Sequence, residues 1–375
     1  MDRSSEQVLN VNKMDPLNLL RTVAMLCVFL LHTTLFEPEI QNLFAQGSAS
    51  FMWRTPAWGG VWIFLIISGY LGGKGYASGR YQLGAKGVWS YYRRRFLKVI
   101  VPTFSFIFLV LVLSFPEFVV ENPEVIIRFF TFTYRAEPGV NGISATWYVF
   151  TLFWLYLITP LAGYVLNKLR ERERILWMLL TVLAVVALCW RMYARKCGFE
   201  WNQYVYVPPA GNLDLYLGGM IFGYLNAEQQ HVPGKIEKII AAFLLTALLI
   251  VNSYFFNLAY FGDSLGEAMS KYFFQTAYLI VCLYFIRAFD TNCGAREKVS
   301  CGAIRRNPAR LVDAFASISF EFYLFHSLVL DRISGYVLMG HTISWGLHVR
   351  LLLLTAIITL VLSIGFHRIF SIRTA

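Results

Sequence analysis

Leu17–Phe36, LNLLRTVAMLCVFLLHTTLF, decides how the rest of this chain is read. At twenty residues the run is long enough to cross the hydrocarbon core of a bilayer as a helix. It nevertheless carries Arg21 and His32, two side chains that lipid rejects. At about 100° and 1.5 Å per helical residue, their spacing of eleven brings them back to within about 20° of each other and sets them about 16 Å apart along the axis. They share one face at two depths. An arginine at the centre of a membrane helix costs roughly 2.5–3.5 kcal/mol on insertion scales, so such groups face a wet cavity or a partner. This face is expected to line a site reached from both sides of a membrane.

The whole chain is built to match. Of its 375 residues 57 % are hydrophobic, 17 % aromatic and only 15 % charged, and the mean hydropathy is +0.54. Soluble globular chains carry about 25 % charged residues. The expectation is an all-α, polytopic membrane protein with one membrane domain over residues 17–371. Residues 1–16 are polar and form a cytoplasmic tail. The apolar run that follows is longer than a secretory h-region of about 7–15 residues and contains Arg21, so it reads as a retained span. The six cysteines show no CxxC pair and no histidine at zinc spacing, so neither a disulfide framework nor a metal site is indicated.

Ten stretches suit a helical span: 17–36, 57–73, 96–115, 144–166, 175–193, 211–226, 236–257, 268–289, 311–333 and 347–370. The second and sixth are short, and Gly59, Gly60, Gly69, Gly218 and Gly219 permit close helix contacts there. Lysine and arginine in the short loops set the orientation. The connection after the second span holds Lys74, Arg80, Lys86, Arg93, Arg94, Arg95 and Lys98. The connection after the fourth holds Lys168, Arg170, Arg172 and Arg174, and that after the eighth holds Arg287, Arg296, Lys298, Arg305, Arg306 and Arg310. The intervening 116–143 is acidic, with Glu117, Glu121, Glu124 and Glu137 against Arg128 and Arg135. Basic connections are thus cytoplasmic, and ten spans put both termini there too. The loop 191–210, with Arg191, Arg195 and Lys196, breaks the alternation. The net charge of +11 is mostly topological, and nucleic acid has no place in the account.

Among chemistry-bearing residues His32 is the strongest candidate for a general base, since imidazole titrates close to neutrality. The alternative is a histidine satisfied by a neighbouring helix's carbonyl. Arg21 either orients a substrate or snorkels to the interface. In SISFEFYLFHSLVLD, Glu321 and His326 are five apart, about 140° round a helix, so they cannot both point down one narrow face. One can support the first helix's histidine while the other meets substrate, and a buried interhelical hydrogen bond is the plainer reading of Glu321. Counted from the cytoplasmic end of its span, His326 reaches the same depth as His32. Arg93, Arg94, Arg95 and Lys98 form a cationic mouth that can bind phosphate bidentately or serve as ordinary anchoring. Ser68 and Tyr70 end the second span close to that depth. Trp147 either stacks on a sugar or belongs to an aromatic belt; Asp214 either hydrogen-bonds a sugar hydroxyl or caps a helix. There is no HExxH, GxSxG, P-loop or dinucleotide fingerprint.

Six segments in order resemble the bacterial acyltransferase 3 family: Asn18–His32, Ile63–Tyr70 (IFLIISGY), Arg93–Pro102 (RRRFLKVIVP), Thr146–Leu161, Leu215–Gly223 (LYLGGMIFG) and Ile318–His326 (ISFEFYLFH). The first has the family's arginine and histidine with ten residues between them. The resemblance implies transfer of an acyl group, usually acetyl, from cytoplasmic acyl-CoA to a hydroxyl of a carbohydrate or other envelope acceptor, in a bacterial plasma membrane. It implies that Arg21 and His32 are essential and that Arg93–Arg95 handle the donor. Acyl-CoA enters as co-substrate, and no permanently bound cofactor is implied. Asn18 departs from the family, where many members have aspartate, and no extracytoplasmic SGNH domain is expected. With the CoA phosphates at Arg93–Lys98, the path of about 16 Å from Arg21 to His32 suits the pantetheine arm. His32 then deprotonates the acceptor, Arg21 orients the donor, and His326 with Glu321 positions acceptor or base. A covalent acyl-histidine relay is equally compatible. The rival from another class is a transporter or flippase of an envelope precursor, for which two related halves would be expected.

Overall fold

The computed structural model describes residues 15–35, 40, 43, 54, 56–114, 116–134, 141–228, 231–289, 308–339, 341–342 and 344–371. Most of the expected tail, residues 1–14, lies outside the described residues, as do Arg135, Glu137, Arg296, Lys298, Arg305 and Arg306. The described elements are helices: α1 (Pro16–Leu35), α2 (Ala57–Ala77), α3 (Ala85–Arg95), α4 (Val101–Ser114), α5 (Pro116–Glu121), α6 (Pro123–Phe130), α7 (Trp147–Lys168), α8 (Glu173–Lys196), α9 (Leu213–Glu228), α10 (Lys235–Tyr260), α11 (Ser264–Glu267), α12 (Phe274–Phe289), α13 (Pro308–Ser317), α14 (Ser319–Leu338) and α15 (Trp345–Ser371), with short 3₁₀ and π turns between some of them. The chain is all-helical among the described residues.

Seven helical stretches among the described residues are long and apolar enough to cross a membrane: Pro16–Thr34, Ala85–Val112, Gly142–Lys168, Glu173–Lys196, Lys235–Tyr260, Ser264–Phe289 and Trp345–Phe370. Three expected spans fall short of that standard for physical reasons. The α2 sequence mixes glycine, tryptophan and tyrosine among its aliphatic residues and is buried along nearly its whole length. Helix α9 has only 16 residues. Helix α14 carries Glu321, His326, Asp331 and Arg332. Helices screened from lipid by neighbours need no uniform apolar surface, so composition alone does not decide whether these three cross.

Glycine makes the centre of the bundle. A Cβ added at Gly69 would meet the Tyr216 carbonyl, at Gly73 the Met220 carbonyl, at Gly219 the Ile66 carbonyl and at Gly223 the Tyr70 carbonyl. These two small-xxx-small seams bring the α2 and α9 backbones into direct contact. On another face of α2, a Cβ at Gly60 would strike the Ala24 carbonyl of α1. Helix α1 is thereby fixed against α2, and its Arg21–His32 face is left for other neighbours.

Two local irregularities shape what those neighbours are. Between α3 and α4, Phe96–Ile100 forms a π turn in which the Val101 amide bonds to the Phe96 carbonyl. Pro102 follows and has no N–H to give, so the ladder slips by one residue and the helix widens at that point. The expected span 311–333 is likewise not one helix: it breaks at Ile318, between α13 and α14. There the Ser317 and Ser319 hydroxyls donate to the Ala314 and Ala316 carbonyls, competing with the backbone ladder.

Arg191, read in sequence as a loop charge, is a fully buried residue of α8. Its Nη2 donates to Asp214 Oδ2 at 2.8 Å and to Thr276 Oγ1 at 2.6 Å, tying α8 to α9 and α12. Its charge is spent inside the bundle, and the discordant loop rests on Arg195 and Lys196 alone.

Candidate active site

At its far end α1 presents His32, and α14 presents His326 to meet it. His32 Nδ1 lies 2.6 Å from His326 Nε2, and the rings are almost parallel, 13° apart. His326 is buried and His32 half-buried. The partners of this pair decide where its protons sit. His326 Nδ1 is 2.6 Å from the Tyr323 carbonyl, which can only accept, so that nitrogen carries the hydrogen. In a neutral ring His326 Nε2 is then an acceptor, His32 Nδ1–H donates to it, and His32 Nε2 is left with its lone pair. The Ser327 hydroxyl, 3.2 Å from His326 Nε2, is a second donor to the same atom. The depth match expected from sequence is thus a direct contact, and the partner of His32 is an imidazole of the neighbouring helix rather than a carbonyl.

Glu321 takes the other direction round α14. Its Oε1 is 2.8 Å from His367 Nδ1 on α15, not beside His32. This is the divergence that a five-residue spacing requires.

The near end of α1 opens on a cavity of about 410 Å³. Its lining includes the cations Arg21, Arg95 and Lys98 and the imidazole of His367, with Glu321 the carboxylate among them. The π turn supplies Leu97, Lys98 and Val99, and the α13–α14 corner supplies Ala316, Ser317, Ser319 and Phe320. Both irregularities of the fold therefore form walls of one site. Arg95 reaches inward through a cage of phenols: it donates to Tyr81 Oη at 3.2 Å, and its guanidinium carbon stands 4.8 Å from the Tyr156 ring centroid and 5.4 Å from that of Tyr91. Such a cage holds a cation by ring quadrupoles without neutralising it.

Arg21 is held differently. Its Nη1 donates to Asn18 Oδ1 at 3.2 Å, and Asn18 Nδ2 donates to Asp313 Oδ1 of α13 at 2.8 Å.

The histidine pair does not line the cavity. Phe64, Tyr148 and Tyr323 form the wall on that side, with ring centroids 5.5–6.3 Å from one another. Tyr323 is the common member, 5.7 Å from the His326 ring and anchored through its hydroxyl to the Ala145 carbonyl at 2.6 Å. The single passage expected along α1 is interrupted by these aromatic rings.

Other expected site residues lie elsewhere. Ser68 lines the cavity, whereas Tyr70 is buried behind it and accepts a hydrogen bond from Asn226 Nδ2 at 2.9 Å. Arg93 and Arg94 are exposed and outside the lining; Arg94 donates to Ser90 Oγ at 2.9 Å. Trp147 is buried against Tyr206 at 4.7 Å and does not itself line the cavity, standing behind the wall residue Tyr148 at 6.3 Å. Asp214 is not placed to greet a sugar: it is buried in the ion pair with Arg191. A carboxylate facing a buried guanidinium at 2.8 Å is committed to it, because separating the two leaves an uncompensated charge. The sequence reading missed Asp313, His367 and the phenols around Arg95. His367 had a usable signal, an ionisable residue near the end of an apolar run.

The acyltransferase-domain family model matches residues 15–368. The chain belongs to the acyltransferase 3 family. No curated protein and no solved structure matches it. Family membership assigns acyl transfer to a polytopic membrane protein, and the match extends over every helix described above, from α1 to α15.

Proposed function

We propose that this protein is an acyl-CoA-dependent O-acyltransferase that moves an acetyl group to a hydroxyl of a carbohydrate in or outside a bacterial plasma membrane. The supporting observation is the His32–His326 contact, whose far end is fixed by the Tyr323 carbonyl and whose near end leaves one unprotonated nitrogen. A base so arranged suits removal of a hydroxyl proton, a contribution of about 10²–10⁴ in rate.

In the proposed reaction His32 Nε2 takes the acceptor's proton as its oxygen attacks the thioester carbonyl. The carbon–sulfur bond breaks, and the CoA thiolate leaves and is protonated by the His32 imidazolium. His326 accepts from His32 Nδ1–H throughout, orienting the ring and sharing its positive charge. The cationic cavity is the donor site: Arg21, Arg95 and Lys98 take the CoA phosphates, and the pantetheine arm points to the aromatic wall. Movement of Phe64 or Tyr148 joins the two compartments. In this reading all ten expected spans cross, α2, α9 and α14 among them, both termini are cytoplasmic, and the cavity opens to the cytoplasm where acyl-CoA is made.

The test is incubation of membranes holding this protein with radiolabelled acetyl-CoA, followed by measurement of label in glycan and lipid. Label is expected with the native chain and not with His32→Ala at equal abundance. Equal labelling by that variant removes the base from the mechanism, and no labelling by either removes the donor assignment.

A further inference from the structure

Asn18 stands one turn before Arg21 on α1, and its amide links that arginine to a carboxylate of another helix. Asn18 is half-buried between two helices that are 295 positions apart in sequence. Its amide nitrogen donates to Asp313 Oδ1 at 2.8 Å and its amide oxygen accepts from Arg21 Nη1 at 3.2 Å. The amide has two inequivalent ends, and either can in principle face the arginine. A carboxylate only accepts hydrogen bonds, so Asp313 draws the NH₂ group to itself and turns the oxygen toward Arg21. Thr22 fastens the same junction: its hydroxyl is 3.0 Å from the Asn18 carbonyl and 3.4 Å from the Val312 carbonyl of α13.

We propose that Asp313 is a positioning residue for Arg21, acting from α13 through the Asn18 amide. The consequence is chemical as well as geometric. Joined through an amide, Arg21 is oriented by Asp313 without direct contact between the two charges, and its guanidinium lines the cavity. Arg21 shares that cavity with Arg95 and Lys98, so its charge is useful there. The arrangement also makes the α13–α14 corner part of the site, since the residues that follow Asp313 form the cavity wall.

The inference rests on the proposed donor site for its catalytic readout, and a charge exchange tests it. Asn18→Asp sets two carboxylates against each other, and Asp313→Ala frees the amide to turn; each is expected to lower acetyl transfer about tenfold, chiefly as a higher KM for acetyl-CoA. Asn18→Asp combined with Asp313→Asn restores the pairing with the charge moved one residue closer, and should recover transfer to within about threefold of the native chain, a coupling typical of residues in one hydrogen-bonded network. A mere packing role for Asp313 would leave the KM for acetyl-CoA unmoved. The same variants are compared in thermal unfolding of the full chain in detergent, which needs no donor: the double variant is expected to be more stable than Asn18→Asp. Losses that simply add in both measurements overturn the proposal. If the native chain transfers nothing while the stability coupling appears, the donor assignment fails and the Asp313–Asn18–Arg21 relay stands.

Discussion

The two ends of α1 each bury an ionisable group, and they satisfy it in opposite ways. Arg21 turns to a cavity of about 410 Å³ that it shares with Arg95, Lys98 and His367. His32 turns to a buried imidazole that is itself tied to a backbone carbonyl. An arginine cannot shed its charge, so it needs water or an anion within reach. A histidine can be neutral and be satisfied by hydrogen bonds alone. In the proposed reaction one end holds charge and the other passes a proton, and a wall of three aromatic rings stands between them.

The sharpest way to break this comparison is at the histidine end. His32→Ala is expected to lower kcat by about 10²–10⁴ and leave acetyl-CoA binding, measured directly on the solubilised protein, unchanged. Loss of binding with loss of rate would merge the two ends into one site. His326 should matter next most, and in a particular way. His326→Ala removes the acceptor of His32 Nδ1–H and should cost about 10²-fold in kcat, whereas His326→Gln, whose amide oxygen can occupy the Nε2 position and accept, should recover most of it. Equal losses for the two variants would show that the ring's bulk matters more than its lone pair.

These expectations also mark how far the sequence could be read. Arg21, His32 and His326 were legible because ionisable residues stand out inside apolar helices, and helical periodicity fixes their depth and face. The Glu321–His326 divergence was legible by the same arithmetic. Asp313 was not: it is an ordinary acid on a short amphipathic helix, and only the packing of α13 on the start of α1 gives it Asn18 as a partner. Asp214 and Arg191 misled in the opposite sense, because a charge near a helix end looks exposed until its partner, 23 residues away, is known. The span count shows a similar limit. Helices α8 and α15 announce themselves by apolar composition and an apolar surface left uncovered by the protein: only 17 % and 28 % of their most apolar stretches are buried, against 61 % in Ser264–Phe289. The central helices α2 and α9 trade that apolar surface for glycine at their mutual seam.

The cavity end yields smaller effects, because several cations share the work of holding an anion. Arg95→Ala should raise the KM for acetyl-CoA about tenfold with little change in kcat, since a caged guanidinium contributes charge-assisted hydrogen bonds of the stronger kind. Arg93→Ala and Arg94→Ala should each change it less than about twofold, although sequence alone cannot rank the three neighbours. The difference follows from the register of the π turn. Arg95 lines the cavity half-buried and Lys98 lines it while still exposed, whereas Arg93 and Arg94 are exposed outside the lining, where charge is screened by water and salt. Raising the ionic strength should accordingly diminish whatever contribution Arg93 and Arg94 make before it touches that of Arg95. If Arg93→Ala proves as costly as Arg95→Ala at high salt, the donor's phosphates lie on the outer face of α3, and the cavity beside Arg21 must receive something other than the head of acyl-CoA.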